Sequence, residues 1–391
     1  MKILHCVEFY YPSTGGAQEV IKQLSERLVK LGNDVTVATT DIPERNQSII
    51  NGVKIKEFKI SGNYAHGFHG DTLQYQNFLI TSEFDIIMFY AAQQWTTDLA
   101  LPVLEKIKPK KVIVPCGFSG LYLPEYNDYF SKMKNWLKKF DACVYLSNEY
   151  RDIEFARQQN IDNGIIIPNG AAEDEFSSSS DNNIKKRLSI PKNDFLIIHV
   201  GSHTGLKGHK EAIKIFKKAN ISHCTFLIIG DKCDSGCWKS CRFSQFIFQI
   251  DPRMRINGKK LKVIQLSRKD TIAAYHNADL FLFPSNIECS PIVLFECMAS
   301  KTPFLTTDVG NSKEIIKWSN GGILLPTIHQ KNGYCFAKID ESAIILEKIS
   351  LHEEYRIKMS NNGYKKWREQ FRWEDITKRY YDLYLKLCNE I

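Results

Sequence analysis

Short apolar segments alternate with amphipathic segments along most of this chain, and this alternation constrains its fold more than any other feature. Residues 3–9 predict a buried strand, residues 17–31 an amphipathic helix, and residues 35–39 the next strand. Gly15 and Gly16 lie between the first strand and the helix. Apolar strands joined by helices usually pair in parallel and are covered on both faces. The opening therefore predicts a βαβ unit with a glycine turn at the carboxyl end of its first strand.

The same alternation occurs in two successive segments, which predicts two domains. The first segment contains further strands at residues 53–60, 84–90, 111–115, 142–146 and 164–168. The second contains strands at residues 195–200, 225–229, 261–265, 280–283 and 303–306, with helices at 211–219 and 292–299. Between them, residues 177–183 are polar and without periodicity, which predicts a linker or an exposed loop. We therefore expect an α/β protein of two Rossmann-like domains, residues 1–171 and 172–371, with mostly parallel sheets facing a cleft.

Length, composition and charge exclude several other classes of protein. The 391 residues correspond to two or three domains at roughly 150 residues per domain. With 43% hydrophobic and 25% charged residues, the chain is typical of a globular protein and not of a disordered, collagen-like or coiled-coil one. The net charge of +8 is too dilute to predict a nucleic-acid partner.

The hydrophobic runs and the cysteines indicate the cellular compartment of the protein. No run approaches the roughly 20 apolar residues of a membrane-spanning helix, and residues 1–7 lack the cleavage site of a secretory signal. The 11 cysteines are odd in number and scattered, so we expect them to be mostly reduced. These features together predict a cytoplasmic protein.

Residues 284–299 form the most informative segment of the chain. Glu288 follows a predicted strand, and Glu296 lies eight positions later inside the next helix. Amides at a helix start can bind a diphosphate, because the helix dipole favours negative charge there. Pro291 has no amide hydrogen, so the predicted donors are Ser290, Ile292 and Val293. Glu296 would then bind a vicinal diol such as a ribose, and Glu288 would face the group beyond the phosphates; alternatively, both are ordinary carboxylates without a ligand.

This segment resembles the hallmark of the family 4 glycosyltransferases, in which a strand is followed by Pro-Ser and then by Glu-x7-Glu running into Glu-Ala-Met-Ala. Pro284-Ser285 and residues 288–299 match it, with Cys297 in the usual alanine place. Further segments resemble the family in the same order along the chain: Gly15-Gly16-Ala17, Ile167-Pro168-Asn169-Gly170, residues 308–315 and the tail from Phe371. The resemblance implies a GT-B fold, in which a C-terminal helix, residues 372–391, completes the first domain.

The resemblance also implies a ligand and further site residues. Family members use a nucleotide diphosphate sugar, on UDP or GDP, as co-substrate, and we expect neither a metal nor another cofactor. The lysine of the family's Lys-Gly pair is Lys207, whereas Ser202 stands where many members carry an arginine. The implied diphosphate contacts are Gly15, Gly16, Gly201, Ser202 and Lys207, beside the three donors already named. The implied nucleotide contacts, besides Glu296, are Gly230, Asp231 and Val263.

At the reaction centre the resemblance implies a histidine after the strand at residues 111–115, but Cys116 stands there. A thiol is a poorer partner for sugar hydroxyls than an imidazole. His66 and His69 are therefore alternative candidates, because their glycine-rich loop would reach into the cleft, although a structural role in the loop is the simpler reading. His203, in the loop before Lys207, would either compensate for the arginine that Ser202 replaces or, as we expect, face solvent.

Two further patterns invite a functional reading that the sequence leaves open. The four-residue spacing would place three cysteines, Cys233, Cys237 and Cys241, along one side of a helix. Structural zinc sites usually use more closely spaced pairs and four ligands, so we expect a helix or loop with reduced cysteines. His223 or Cys224 could supply a fourth ligand only if the fold brings it close. Residues 129–140 predict a basic amphipathic helix, which would either contact anionic lipid or pack on the sheet with a solvated lysine face.

The function implied by the resemblance is retaining transfer of a sugar to a glycan, lipid-linked or other hydroxyl acceptor, as in polysaccharide biosynthesis. Such an enzyme would be cytoplasmic or peripheral at the inner membrane face. One alternative is a nucleotide-sugar epimerase of the same fold. Another is a catalytically silent sugar-nucleotide or glycan-binding protein, which Ser202 and Cys116 would favour. A dinucleotide dehydrogenase is disfavoured because neither sheet opens with Gly-x-Gly-x-x-Gly.

Overall fold

The computed structural model describes residues 1–177, 183–233 and 235–389, and the chain divides into two compact units. The first unit consists of Met1–Asn169 and the C-terminal helix that begins at Trp373. The second unit is Gly170–Arg372. The predicted linker at 177–183 falls mostly on residues 178–182, which lie outside the described residues, as do the last two residues of the predicted C-terminal helix.

The first unit is built on a parallel sheet. Its strands are β1 (Lys2–Cys6), β2 (Asp34–Thr40), β3 (Ile49–Ile50), β4 (Val53–Phe58), β5 (Ile60–Asn63), β6 (Gly67–Gly70), β7 (Ile86–Tyr90), β8 (Lys110–Val114), β9 (Ala142–Tyr145) and β10 (Gly164–Ile166). The main sheet has the order β10-β9-β8-β7-β1-β2-β4-β3, and its pairs are parallel except for β3 with β4. The predicted parallel arrangement of this segment is confirmed.

A hairpin lies beside this sheet where the sequence predicts a glycine-rich loop. Strands β5 and β6 pair in an antiparallel register, with Ser61 opposite His69 and Asn63 opposite Gly67. The loop predicted from the glycine-rich sequence is therefore a short hairpin. Its physical reason is that glycines at positive φ, such as Gly62 and Gly67, allow a tight reversal between two very short strands.

Helices cover the sheet of the first unit. They are α1 (Gly16–Lys30), α2 (Thr72–Thr81), α3 (Trp95–Asp98), α4 (Asn127–Leu137), α5 (Arg151–Gln158) and the C-terminal helix (Trp373–Asn389). Helix α1 buries Val20, Leu24 and Leu28, which recur at helical spacing on one face. The C-terminal helix contacts α1 through an ion pair of 2.8 Å between Arg27 and Glu374. The first and last helices of the chain thus pack together within one unit.

Helix α4 is the basic amphipathic helix that the sequence predicts. Its apolar residues Tyr129, Phe130, Met133 and Leu137 are buried in the core of the first unit. This apolar face is covered by protein, so it is not available to a lipid surface, and the lysines of the helix lie on its exposed side.

Within the described residues, no helix is both long enough and apolar enough to cross a bilayer.

The second unit has a second parallel sheet. Its strands are β11 (Phe195–Val200), β12 (Cys224–Ile229), β13 (Lys259–Ile264), β14 (Leu280–Phe283), β15 (Phe304–Thr306), β16 (Gly322–Leu324), β17 (Thr327–His329) and β18 (Cys335–Ala337). The order β13-β12-β11-β14-β15-β16 is parallel throughout, and β17 with β18 forms a separate antiparallel hairpin. Its helices are α6 (Glu173–Phe176), α7 (Ile184–Arg187), α8 (His209–Lys218), α9 (Trp238–Ile250), α10 (Pro252–Ile256), α11 (Arg268–Asn277), α12 (Ile292–Ala299), α13 (Ser312–Ser319), α14 (Ile339–Leu351) and α15 (Glu353–Gln370).

In each sheet the chain first adds strands on one side of a central strand and later adds strands on its other side. In the first unit the chain leaves β1 toward β2 and later returns on its other side with β7. In the second unit the corresponding neighbours are β11 and β14. Loops after adjacent strands diverge at such a point and leave a crevice, where open α/β sheets bind their ligands. The loops after these four strands are therefore the places to look for a site.

Candidate functional site

In the second unit, the loops after β11 and β14 touch each other at a glycine. Gly208 has φ of +69°, and a Cβ there would lie 1.8 Å from the carbonyl oxygen of Pro284. The amide of Asn286 also donates to the carbonyl of Leu206, at 3.0 Å. Only glycine meets both the backbone and the steric demand at this position. The two loops are thus held as one surface at the carboxyl edge of the sheet.

Lys207 and Glu288 meet on this surface. The Nζ atom of Lys207 lies 2.7 Å from Oε1 of Glu288, and the same oxygen accepts a 2.8 Å hydrogen bond from the hydroxyl of Ser285. The Glu288 side chain is only 10% exposed, whereas that of Lys207 is 31% exposed. The carboxylate therefore lies inside and holds a partly exposed ammonium at the surface. The structure brings together two residues that the sequence analysis placed at different parts of the ligand.

Glu296 has a partner that the sequence analysis missed. Its side chain is 5% exposed in α12, and its Oε1 accepts a 2.6 Å hydrogen bond from Arg268. Arg268 also lies 2.6 Å from Glu175, so one guanidinium bridges two carboxylates. Arg268 begins α11 just after β13. Arg268 lies beyond the carboxyl end of a predicted strand, and this position is the sequence feature that could have identified it as a site residue.

The predicted amide donors lie at the start of α12. This helix spans Ile292–Ala299, as predicted, and Pro291 precedes its first residue. Amides of the first helical turn have no partner within their own helix. Ile292 and Val293 are half-buried, and Ser290 is buried. The geometry required for an anion site at this helix start is therefore present, and its use for a diphosphate stays a prediction.

The predicted base contacts lie at the ends of β12 and β13. A Cβ at Gly230 would lie 1.9 Å from the carbonyl oxygen of Gly201, so the chain segments after β11 and β12 run in close contact. The amide of Val263 donates to Gln245 at 2.7 Å, and its carbonyl accepts from Arg242 at 3.0 Å. Both backbone groups of Val263 are thus engaged by α9. Its role and that of Asp231 stay predictions.

His203 is buried, which corrects the expectation that it faces solvent. Its amide donates to the carbonyl of Asp231 at 2.9 Å, so the loop after β11 is tied to the segment after β12. Cys237 directly precedes α9, Cys241 lies in its first turn and Cys233 lies in the preceding loop. The three cysteines therefore do not form one helical stripe, because the helix begins only at Trp238.

In the first unit, the half-buried carboxyl group of Glu8 and the buried one of Asp98 lie near the switch between β1 and β7. Burial and the neighbouring Asp98 carboxyl raise the pKa of Glu8 to about 7. Burial likewise raises the pKa of Asp98 to about 6, although hydrogen bonds from the amides of Tyr64 and Gln93 and from the Tyr129 hydroxyl oppose this shift. Carboxyl groups with raised pKa values are typical of acid–base sites. Neither residue is recognisable from the sequence, because its exposure depends on the fold.

Backbone strain is concentrated beside these carboxyl groups. Four non-glycine residues after β7 and β8 have positive φ: Ala91 (69°), Gln93 (64°), Cys116 (59°) and Phe118 (46°). Such conformations are unfavourable for residues with a Cβ and often occur at functional sites. Burial raises the pKa of the Cys116 thiol to about 12, so it is a neutral thiol at physiological pH. Cys116 therefore lies in a strained loop but is not ionised to act as a base.

The other predicted residues of the first unit occupy simpler positions. Gly16 begins α1 and Gly15 precedes it, at the carboxyl end of β1, as predicted. His66 and His69 are both exposed and belong to the β5–β6 hairpin. The Nδ1 atom of His66 lies 3.0 Å from the side-chain oxygen of Asn63 in its own turn. Their role at a reaction centre stays a prediction.

Comparison with known proteins agrees with these features. Residues 180–366 match the family described as glycosyl transferases group 1. The chain is 24% identical to an uncharacterized glycosyltransferase of Methanocaldococcus jannaschii over 98% of both proteins. It is also 25% identical to N-acetyl-alpha-D-glucosaminyl L-malate synthase of Bacillus anthracis, over 53% of this chain and 49% of that protein.

Solved structures define the fold. Sucrose-phosphate synthase from Thermosynechococcus elongatus covers 99% of this chain and 98% of its own, with a TM-score of 0.78 and 15% identity. HepE of Anabaena, in complex with UDP and glucose, covers 99% of this chain and 100% of its own, with a TM-score of 0.73 and 15% identity. The chain therefore has the GT-B fold of glycosyltransferases. The match over residues 180–366 and this fold agree with the resemblance to glycosyltransferases.

Proposed function

We propose that this protein is a retaining glycosyltransferase that moves a sugar from a nucleotide diphosphate sugar to a hydroxyl group of a glycan or lipid-linked acceptor. The observation that carries the proposal is the Lys207–Glu288 pair, 2.7 Å apart where the loops after β11 and β14 meet. The UDP complex of HepE supports a nucleotide diphosphate as the ligand. The relative named capsular polysaccharide biosynthesis glycosyltransferase CapM, from Staphylococcus aureus, supports a role in polysaccharide biosynthesis.

The donor diphosphate would be bound by one cation and a helix start. Lys207 supplies the positive charge, and the first amides of α12, at Ile292 and Val293, supply hydrogen bonds in the direction of the helix dipole. Glu288 holds Lys207 by an ion pair and offers its carboxylate to a sugar hydroxyl. Because these groups are in place before the ligand arrives, they stabilise the charge that develops on the leaving diphosphate.

Transfer would proceed as a front-face displacement. The acceptor hydroxyl attacks the anomeric carbon from the side on which the diphosphate leaves, so the new C–O bond forms where the old one breaks and the configuration is retained. The proton of the acceptor hydroxyl goes to the departing phosphate oxygen. We propose no metal in this step, because Lys207 and the helix amides carry out the charge stabilisation.

Glu296 would orient the nucleoside. Its carboxylate is held by Arg268 at 2.6 Å, which fixes one oxygen and directs the side chain. The carboxylate held in this way would accept hydrogen bonds from the vicinal hydroxyl groups of a ribose. Arg268 is a positioning residue in this arrangement, and the second ion pair to Glu175 anchors it.

A catalytically silent glycan-binding protein is the second candidate. It is favoured by Ser202 in place of the family's arginine and by the neutral thiol of Cys116 in place of its histidine. Ligand binding without turnover would select it. Transfer of sugar to an acceptor would exclude it.

The test is a thermal-shift screen against UDP-sugars and GDP-sugars, followed by product analysis with the sugar that binds. A ligand that binds only the folded state raises the melting temperature in proportion to RT ln(1 + [L]/Kd). The coupling constant of the product's anomeric proton in the proton NMR spectrum distinguishes retention from inversion. Absence of a shift with every nucleotide sugar, or an inverted product, would overturn the proposal.

A further inference from the structure

A compact cluster of thiols and imidazoles lies beneath the loop that carries Lys207. Ligand atoms of His203, Cys237 and Cys241 all lie within 4.8 Å of one another. His203 and Cys241 are buried, and Cys237 is half-buried. None of these side chains has a role in the proposed transfer reaction. Two thiols and an imidazole at this separation form a set of soft ligands.

The separations match those around a zinc ion. The Sγ atom of Cys237 lies 3.4 Å from Nδ1 of His203 and 3.6 Å from Nδ1 of His209. With Zn–S of about 2.3 Å and Zn–N of about 2.0–2.1 Å, a tetrahedral ion keeps a sulfur and a nitrogen ligand about 3.6 Å apart. Cys237 therefore already lies at ligand spacing from each of the two histidines.

The orientation of His209 points to the same conclusion. Its Nε2 lies 3.1 Å from the carbonyl oxygen of Gly201, which can only accept a hydrogen bond. In the neutral ring, Nε2 therefore carries the hydrogen, and the lone pair is on Nδ1, which faces the sulfur of Cys237. A hydrogen bond from the far ring nitrogen to a carbonyl is the usual support for a metal-bound histidine.

The cluster also contains an unsatisfied buried group. The Nε2 atom of His203 has no hydrogen-bond partner among the described residues, although the side chain is fully buried. A buried polar group without a partner requires an explanation, and a cation bound beside the two thiols supplies one.

The fourth-ligand candidates named from the sequence lie elsewhere. Cys224 is the first residue of β12, whereas the amide of His203 bonds to Asp231 beyond the carboxyl end of that strand. A six-residue strand separates its ends by roughly 16 Å. Neither Cys224 nor its neighbour His223 can therefore reach the cluster.

We propose that His203, His209, Cys237 and Cys241 bind a structural Zn²⁺ ion in the second unit. Two thiolates and two imidazoles in a closed tetrahedral set favour zinc. The two histidines lie on either side of Lys207 in the sequence, and the cysteines belong to the start of α9. The ion joins the loop after β11 to α9 and so limits the movement of Lys207.

Metal content and a cobalt spectrum test the proposal on the full chain without any nucleotide. We expect the purified protein to contain about one zinc ion per chain by inductively coupled plasma mass spectrometry. After removal of zinc, Co²⁺ should produce thiolate-to-cobalt charge-transfer bands and the strong visible bands of a tetrahedral site. Cys237→Ser and Cys241→Ser should lose both signals, and Cys233→Ser, in the same segment but outside the cluster, is the matched control that should keep them.

Several results would overturn the proposal. They are a wild-type protein without zinc and without a cobalt spectrum, serine variants that bind as much zinc as the parent, and a Cys233→Ser variant that loses as much as Cys237→Ser. Because the serine variants could fail to fold, the wild-type cobalt spectrum and the loss of melting temperature on chelation give a second measurement. Failure to bind nucleotide sugars would refute the proposed function and leave these metal measurements unaffected.

Discussion

The Lys207 ammonium lies 2.7 Å from Oε1 of Glu288, although the two residues are 81 positions apart in the chain. The hydroxyl of Ser285 donates to the same oxygen at 2.8 Å, so the carboxylate is held from two sides. The pair joins the loop after β11 to the loop after β14. Loss of either partner should affect the other, and this makes the pair a good target for testing the donor site.

Lys207→Ala should weaken binding of a nucleoside diphosphate far more than binding of the nucleoside. The ammonium is expected at the phosphates, and loss of a hydrogen bond to a charged group costs about 1.5–3 kcal/mol, or about 10- to 150-fold in Kd. Isothermal titration calorimetry with UDP against uridine, or GDP against guanosine, measures this. Lys210→Ala, an exposed lysine at the start of α8, is the matched control. Equal losses for the two ligands would place Lys207 away from the phosphates.

Substitution of Glu296 should affect nucleotide binding, whereas substitution of Glu288 should affect turnover. We expect Glu296→Ala to raise the Kd of the nucleotide by about 10- to 150-fold, because the ribose contact is lost. Glu288→Ala should mainly lower kcat, since its carboxylate faces the sugar and positions Lys207. Arg268→Ala should resemble a weaker form of Glu296→Ala. Two glutamate variants with the Kd and kcat of the parent would show that the donor site is wrongly assigned.

Glu8 should make stability decrease as pH rises. Its pKa is raised from 4.5 to about 7 by burial and by Asp98. The folded state therefore keeps a proton that the unfolded chain releases, and stability falls between about pH 4.5 and pH 7. Glu8→Gln should match the parent near pH 5 and be more stable than it at pH 8, as measured by urea unfolding at both pH values. Glu125→Gln, an exposed carboxyl of the same unit, should change neither. A Glu8→Gln variant with the parent's pH dependence would contradict this.

Gly208 and Gly205 form a matched pair for the contact between the two loops. Both have positive φ, but a Cβ at Gly208 meets the Pro284 carbonyl at 1.8 Å, while a Cβ at Gly205 meets nothing within 4 Å. Gly205→Ala should cost about 1 kcal/mol of unfolding free energy from backbone strain alone. Gly208→Ala should cost at least about 2 kcal/mol more, because the loops must separate. Equal losses in denaturant unfolding would show that the close contact is unimportant.

Any binding to a membrane surface should depend on the lysines in and directly after α4 and not on the apolar face of α4, which is buried. Lys132 lies 2.7 Å from Asp128 and Lys139 lies 2.9 Å from Glu105, so their charge is partly balanced. Replacing exposed Lys134 and Lys138 by glutamine should therefore reduce co-sedimentation with anionic liposomes more than replacing Lys132 and Lys139. Each lysine near such a surface is worth about 1 kcal/mol, and binding should fall with added salt. A parent protein that stays in the supernatant at low salt would favour an acceptor away from the membrane.

Local pattern in the sequence was sufficient for the two α/β segments and for many element positions. Helix α12 begins at Ile292 and ends at Ala299 as predicted, and the strand at Leu280–Phe283 lies where its apolar run predicts it. Such features depend on periodicity and on neighbours within a few residues, because a helix or strand buries the face that its own sequence makes apolar. The same local reasoning misread the hairpin of β5 and β6, where short glycine-rich strands have no clear period.

The sequence by itself therefore determined the class of fold and the order of its strands and helices along the chain, and it pointed to Lys207, Glu288 and Glu296. Only the tertiary structure decided which side chains meet. After β11 the chain forms β12 and β13 on one side of that strand and then returns to place β14 on its other side. This non-local pairing of β11 with β14 brings Lys207 to Glu288. The pairing of β11 with β12 likewise places the buried His203 beside Cys237, with 3.4 Å between Nδ1 and Sγ. Distances and burial of this kind arise from packing between residues far apart in sequence, which no local pattern encodes.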